Sequence, residues 1–179
     1  MTAMELQNIP ADCPELKKLL EKVMTHIDDP ANGLPEDVFL FLSAISPLPN
    51  VDLLIRDAAG KILLAWRNDP WWGSGWHVPG GIIRLNESFA ERIQKTAQKE
   101  LRTSVIHGEE PIEIREIINK DFKTRSHHIS FVFDCKVPEN YKIDNGLLSD
   151  HNTGFLSWHE HYPDQMLRCH EFYRKYFMI

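Results

Sequence analysis

Cysteine is scarce in this chain of 179 residues. Cys13, Cys135 and Cys169 are odd in number, widely spaced and without a Cys-x-x-Cys pair, so neither a disulfide framework nor a thiolate zinc site is expected. Small buried side chains are their plain reading. No stretch approaches eighteen consecutive apolar residues, which argues against a membrane span. The first residues include Glu5 and no apolar run of signal-peptide length, so a cytoplasmic location is expected. Positive charge is not in excess either. Twenty Lys and Arg against 26 Asp and Glu leave a net charge of -6, which disfavours a long polyanion such as nucleic acid but leaves room for a small basic pocket. Repeats and low-complexity segments are missing, and the one linker-like stretch is 28–34. Two phosphate-binding signatures are missing as well. There is no glycine-x4-glycine-lysine-serine/threonine loop, and Gly73-Ser74-Gly75 lacks the third glycine and following helix of a dinucleotide fingerprint. Kinase and dehydrogenase readings fall away.

What is present reads as one domain with a sizeable core, 42% of residues being hydrophobic. Leu16, Leu19, Leu20, Val23 and Ile27 recur at helical spacing and predict an amphipathic helix over 11–28. It is either a cover over a sheet or a contact between two copies in a homodimer. A second short helix is expected over 36–43. Apolar runs at 51–55 and 61–66, joined by Asp57-Ala58-Ala59-Gly60, read as a hairpin. A short strand then ends in Pro79, and Gly80-Gly81 suggests a turn of positive φ with close backbone approach to a ligand. Asn86 is the expected N-cap of a helix whose stripe is Phe89, Ile93, Ala97, Leu101 and Val105. Strands follow at 112–118, 129–137 and 155–158, with a closing helix over 163–177 that turns Met166, Leu167, Phe172 or Tyr173, and Tyr176 or Phe177 inward.

Helical spacing brings positions 96, 99 and 100 together beside the Gly80-Gly81 turn, and Glu100 is the one carboxylate among them. Trp71 and Trp72 sit in a polar loop over 68–75, where nucleobase stacking competes with packing on the protein's own core or a subunit contact. Two histidine pairs, His127-His128 and His159-x-His161, lack the carboxylate or cysteine partners of a zinc site.

Pro79-Gly80-Gly81, five residues, Glu87 and a helix carrying Glu100 resemble the signature box of the Nudix hydrolases. The box is degenerate. Lys95 stands for arginine, Thr96 and Lys99 for glutamates, and Arg102 for the glycine that usually ends the helix. That pattern is similar to the GDP-mannose mannosyl hydrolase subgroup, as are 34–39, 51–55, 63–67, 75–81 and 126–129 in order. The resemblance implies an α/β fold, a Nudix-type α/β/α sandwich with a mixed β-sheet, with residues 1–33 as an N-terminal helical extension and 34–179 as the hydrolase domain. It implies Mg²⁺, with Mn²⁺ as a substitute, held by Glu100, Asp150 and the carbonyl of Gly81. Arg67 and Arg84, otherwise ordinary surface ion-pair residues, would grip substrate phosphates, since a guanidinium can hold two phosphate oxygens at once. Asp52, His127, Trp71 and Trp72 would complete the substrate site, and His151, in a loop before the last strand, would be the general base. His128 stands where tyrosine is expected. The small-molecule substrate implied is a nucleotide sugar, attacked by water at the anomeric carbon. Cleavage at phosphorus in another nucleoside diphosphate derivative, or a non-catalytic ligand-binding domain, are the alternatives. Loss of charge at Thr96 and Lys99 favours the first, because one Mg²⁺ and two arginines suffice to expel a diphosphate.

Overall fold

A computed structural model describes residues 13–177. Residues 11 and 12 of the expected first helix lie outside the described residues. Helix α1 (Pro14–Met24) has Pro14 at its first turn, where a missing N–H costs nothing, and buries none of its residues. Its stripe is open to solvent, with Leu16, Leu19, Leu20 and Val23 all exposed, so among the described residues it does not cover the sheet. Helix α2 (Glu36–Ile45) leads through Pro47 into strand β1 (Leu48–Ile55).

β1 is the centre of a five-stranded sheet. It runs parallel to β7 (His127–Lys136), pairing Leu48 with His128 and Ile55 with Cys135, and antiparallel to β4 (Gly80–Ile82). β5 (Ile106–His107) and β6 (Glu113–Ile118) both pair with the other edge of β7. A second sheet orders β3 (Gly73–His77), β2 (Ile62–Asp69) and β8 (Leu156–His159). The expected β1–β2 hairpin is therefore corrected. The turn forms, with Asp57 accepting from the N–H groups of Ala59 and Lys61, but the strands part into different sheets after the single Arg56–Ile62 bridge. The expected loop around Trp71 and Trp72 is instead the tight end of the β2–β3 hairpin, where Asp69 pairs with Gly73.

Alternation along β1 and β7 sends Val51, Leu53, Ile55, Phe133 and Cys135 to one face, against Ile93, Ala97 and Leu101 of helix α3 (Phe89–Leu101). Leu54 and Val132 go to the other, against Met166, Tyr173 and Phe177. A mixed sheet is thus packed between helical layers, the α/β/α arrangement. The closing segment is a 3₁₀ helix (Arg168–Tyr176), not the expected α-helix over 163–177. Three residues per turn line His170, Tyr173 and Tyr176 along one side, with ring centroids 5.3 and 6.0 Å apart. No helix among the described residues is long and apolar enough to cross a membrane.

Candidate active site

A cleft of about 370 Å³ opens where β4, the inner face of α3, the starts of β1 and β7 and the closing 3₁₀ helix meet. Gly80 and Gly81 form its floor as strand residues, not as a turn. Neither has a positive φ, which corrects that expectation; they are glycines because their neighbours are too close. A Cβ on Gly80 would overlap Asp52 Oδ1, and one on Gly81 would lie 2.5 Å from Thr96 Oγ1.

α3 starts at Ser88, not Asn86. Ser88 Oγ accepts from the Glu91 N–H while the Glu91 carboxylate accepts from the Ser88 N–H, a reciprocal cap, and Asn86 stands before it with φ 59°. Glu87 is a clamp on the helix start. Its side chain is 3% exposed and accepts from Arg92 Nε (2.6 Å), Arg92 Nη2 (2.8 Å) and the Arg84 N–H, with Lys95 Nζ 3.0 Å away. Burial opposes its charge, but those donors outweigh burial and hold the carboxyl at about 2.

Glu100, one turn beyond Thr96, faces Arg67 across 3.7 Å. Burial pushes its carboxyl up to about 7 against the pull of Arg67 and Lys99. Asp52, at the centre of β1, is buried and held by Asn50 Nδ2 (2.7 Å), Tyr173 OH (2.7 Å) and the Ser130 hydroxyl. Among the described residues, Arg84 and Lys99 line the cleft without a carboxylate at ion-pair distance. Two cations are thus available to an anion.

Of the residues expected at the site, Asp52, Arg67, Trp72, Gly81, Arg84 and Glu100 line this one cleft. Trp71, His127, Asp150 and His151 do not. Trp71 is covered by the Arg125 guanidinium, 4.3 Å from its ring centroid, and the same guanidinium lies 5.4 Å from the Phe39 ring centroid. His127 turns away to Glu116 Oε1 at 3.2 Å. Asp150 is exposed in its turn. His151 packs its ring edge-on to Trp66 at 4.3 Å and meets Gln165 Oε1 at 3.3 Å. Trp66 and Arg67 are strand neighbours with side chains on opposite faces, so the His151 ring lies on the face of β2 away from Arg67.

The cleft also holds Asn50, His77, Arg92, Arg125 and His170, which the sequence did not put forward, and His128, which it marked only as standing where tyrosine is expected. For His128 a signal existed, since it shares its parity on β7 with buried Ser130 and Val132, whereas His127 does not. Burial first, and then Arg125, push the His128 imidazole down to about 4, so it is neutral at pH 7.

The donor set fits one divalent ion better than several. Glu100 is the single α3 carboxylate in the cleft, and Thr96 Oγ1 is buried without a partner beside the Gly81 backbone. Mg²⁺ is commonly held by one or two carboxylates, waters and substrate phosphates, which one carboxylate, one carbonyl and one hydroxyl can complement. Among the described residues no three His, Cys, Asp or Glu side chains cluster as a closed metal cage.

A stretch of 78 residues is 36% identical to a low-salt glycan biosynthesis protein, Agl8, of Haloferax volcanii. The match covers 44% of this chain and 49% of that protein, so the chain spans about half the length of this curated relative. Among solved structures, a MutT NUDIX hydrolase from Burkholderia pseudomallei superposes with a TM-score of 0.57 at 14% identity, covering 74% of this chain and 99% of the other, a likeness of fold. A MutT protein from Methanosarcina mazei Go1 gives 0.49 at 23% identity, covering 64% and 78%. The family model described as NUDIX domain matches residues 46–177, and those residues contain β1 through the closing helix and almost all of the cleft, so the chain belongs to the Nudix hydrolase family.

Proposed function

We propose that this chain hydrolyses a nucleotide sugar of the GDP-mannose kind, water attacking the anomeric carbon and the nucleoside diphosphate leaving. One observation carries the reading: α3 presents a single carboxylate, Glu100, to a cleft whose neighbouring positions are Thr96 and Lys99, with Arg67 3.7 Å from that carboxylate. Attack at phosphorus in this family draws on several carboxylates around more than one ion, and Lys99 works against a second ion by repulsion. Expelling a diphosphate asks for positive charge around the leaving oxygens, which Arg67, Arg84 and Lys99 supply. Nudix hydrolases generally use Mg²⁺ or Mn²⁺. Glu100, the Gly81 carbonyl and Thr96 Oγ1 are the groups that would hold one such ion, and its chemistry would be to neutralise the departing charge. The water oxygen bonds to the anomeric carbon as the bond from that carbon to the diphosphate oxygen breaks, with its electron pair leaving on the diphosphate. The water proton goes to a neutral imidazole. We assign that role to His128, which lines the cleft, over His151, whose ring would have to leave Trp66 and Gln165 to serve.

The test is hydrolysis of a nucleotide-sugar panel with Mg²⁺ in ¹⁸O-labelled water. Label in the released sugar is expected. Label in a phosphate would make the chain a pyrophosphohydrolase, and binding without turnover would make it a ligand-binding domain.

A further inference from the structure

Two cleft histidines are not used by the hydrolytic step above. His77 ends β3 and is 3% exposed, and His170 stands in the closing 3₁₀ helix, its ring centroid 5.9 Å from that of His77 and nearly perpendicular to it. Val78 sets the tautomer of both. Its carbonyl lies 2.9 Å from His77 Nδ1, and because a carbonyl only accepts, that nitrogen carries the proton and Nε2 keeps a lone pair. Its N–H donates over 3.1 Å to His170 Nδ1, so that ring carries its proton on Nε2. Neither Nε2 has a hydrogen-bond partner among the described residues, and neither is among the enclosed unpaired atoms. Both residues line the cleft. The wall therefore offers one acceptor and one donor side by side. Burial foremost, with Arg67 acting the same way, holds both imidazoles below their ordinary pKa and uncharged at neutral pH.

We propose that His77 Nε2 and the His170 Nε2–H bind the glycosyl group of the substrate, the first accepting from a sugar hydroxyl and the second donating to a sugar oxygen. The proposal rests on the nucleotide-sugar reading. A phosphate oxygen brings no proton for His77 and would face its lone pair, whereas hydroxyls fill both roles. A nucleobase is flat and suits the flat side chains at the hairpin end of the cleft, Trp72 with Phe122 5.7 Å away and Arg125 nearby. The two histidines instead feel the charge of Arg67, which stands 3.7 Å from Glu100, the pair that in the proposed reaction meets the leaving diphosphate where it parts from the sugar.

Calorimetric titration of the full chain with GDP, and with a GDP-mannose analogue carrying a methylene in place of the anomeric oxygen, tests this without turnover. The wild type should hold the analogue at least tenfold more tightly than GDP. His77→Phe and His170→Asn should each lose about tenfold in affinity for the analogue, the order of one hydrogen bond to a neutral partner, with GDP binding within about twofold of wild type. Equal weakening towards GDP and the analogue overturns the inference, since the rings would then touch the nucleotide. If a variant fails to fold, the wild type still decides, because equal affinity for the two ligands leaves no glycosyl contact. A wild type that binds neither ligand overturns the nucleotide-sugar reading itself, a result distinct from equal weakening.

Discussion

In the proposed reaction His128 is the residue that takes up the water proton. Its low pKa comes from burial and from Arg125, and a bound diphosphate opposes the Arg125 field, which moves the imidazole back toward the range useful for a base. His128→Gln should lower kcat by about two to four orders of magnitude with KM little changed, and His151→Gln by less than about tenfold. Steady-state kinetics of the two variants decide between them. The reverse ranking would return the role to His151 and mean that residues 145–154 swing across β2 when substrate binds. The contrast also marks where sequence reasoning stopped. The family resemblance put forward Glu100, Gly81, Arg67 and Asp52, and each lies on a helix or strand that carries it to the wall of the cleft. His151 sits at φ 69° in a turn, where spacing carries no direction, and it ends up against Trp66. His77 and His170 were beyond reach for another reason. What joins them is the backbone of Val78, 92 residues from His170 along the chain.

At the level of elements, α3 was the most legible, since a four-residue apolar repeat has one packing solution on a sheet. Its ends were less so. The cap moved two residues, from Asn86 to Ser88, because Glu91 is placed to complete a reciprocal box only with Ser88. At the other end Arg102 takes the left-handed conformation, φ 58°, that glycine adopts without steric penalty. Its contact with Asp144 is 3.4 Å long, and both side chains are more than 70% exposed, so the ion pair is worth little. Arg102→Gly should therefore stabilise the protein by about 1 kcal/mol, raising Tm by roughly 2–4 °C. A fall in Tm by calorimetry would show that the ion pair outweighs the strain. The β1–β2 turn teaches the converse lesson. Asp57 and Gly60 dictate that the chain reverses, but nothing in a turn dictates which sheet each strand joins, and here they separate. The 3₁₀ form of the closing segment was hidden because aromatic residues at 172, 173 and 176 satisfy either helical period.

Across the whole molecule, the two halves of the core flank one sheet, and the cleft is cut where polar residues interrupt its second half: Asp52, Ser130 and His128 on the strands and His170 on the closing helix. Placing titratable groups there couples folding to pH. His77, His128 and His170 are each held below their ordinary pKa by burial, so as pH falls through the ordinary histidine range near 6.5 the unfolded chain binds protons that the native state refuses. For a histidine lowered in this way, stability is full above the unfolded pKa and is lost as pH falls. Glu100 acts in the opposite sense, because burial raises its carboxyl to about 7 and the native state keeps a proton that the unfolded state releases until about pH 4.5. Three groups against one leave a net uptake of protons on unfolding as pH falls below the ordinary histidine range. Unfolding free energy should thus be lower at pH 5 than at pH 7 without divalent ions, and the urea midpoint should move down with it. His128→Phe removes one of the three groups and should make the drop smaller. Urea titrations at the two pH values check both statements, and a midpoint that holds steady in the wild type would mean that these imidazoles are charged in the native protein.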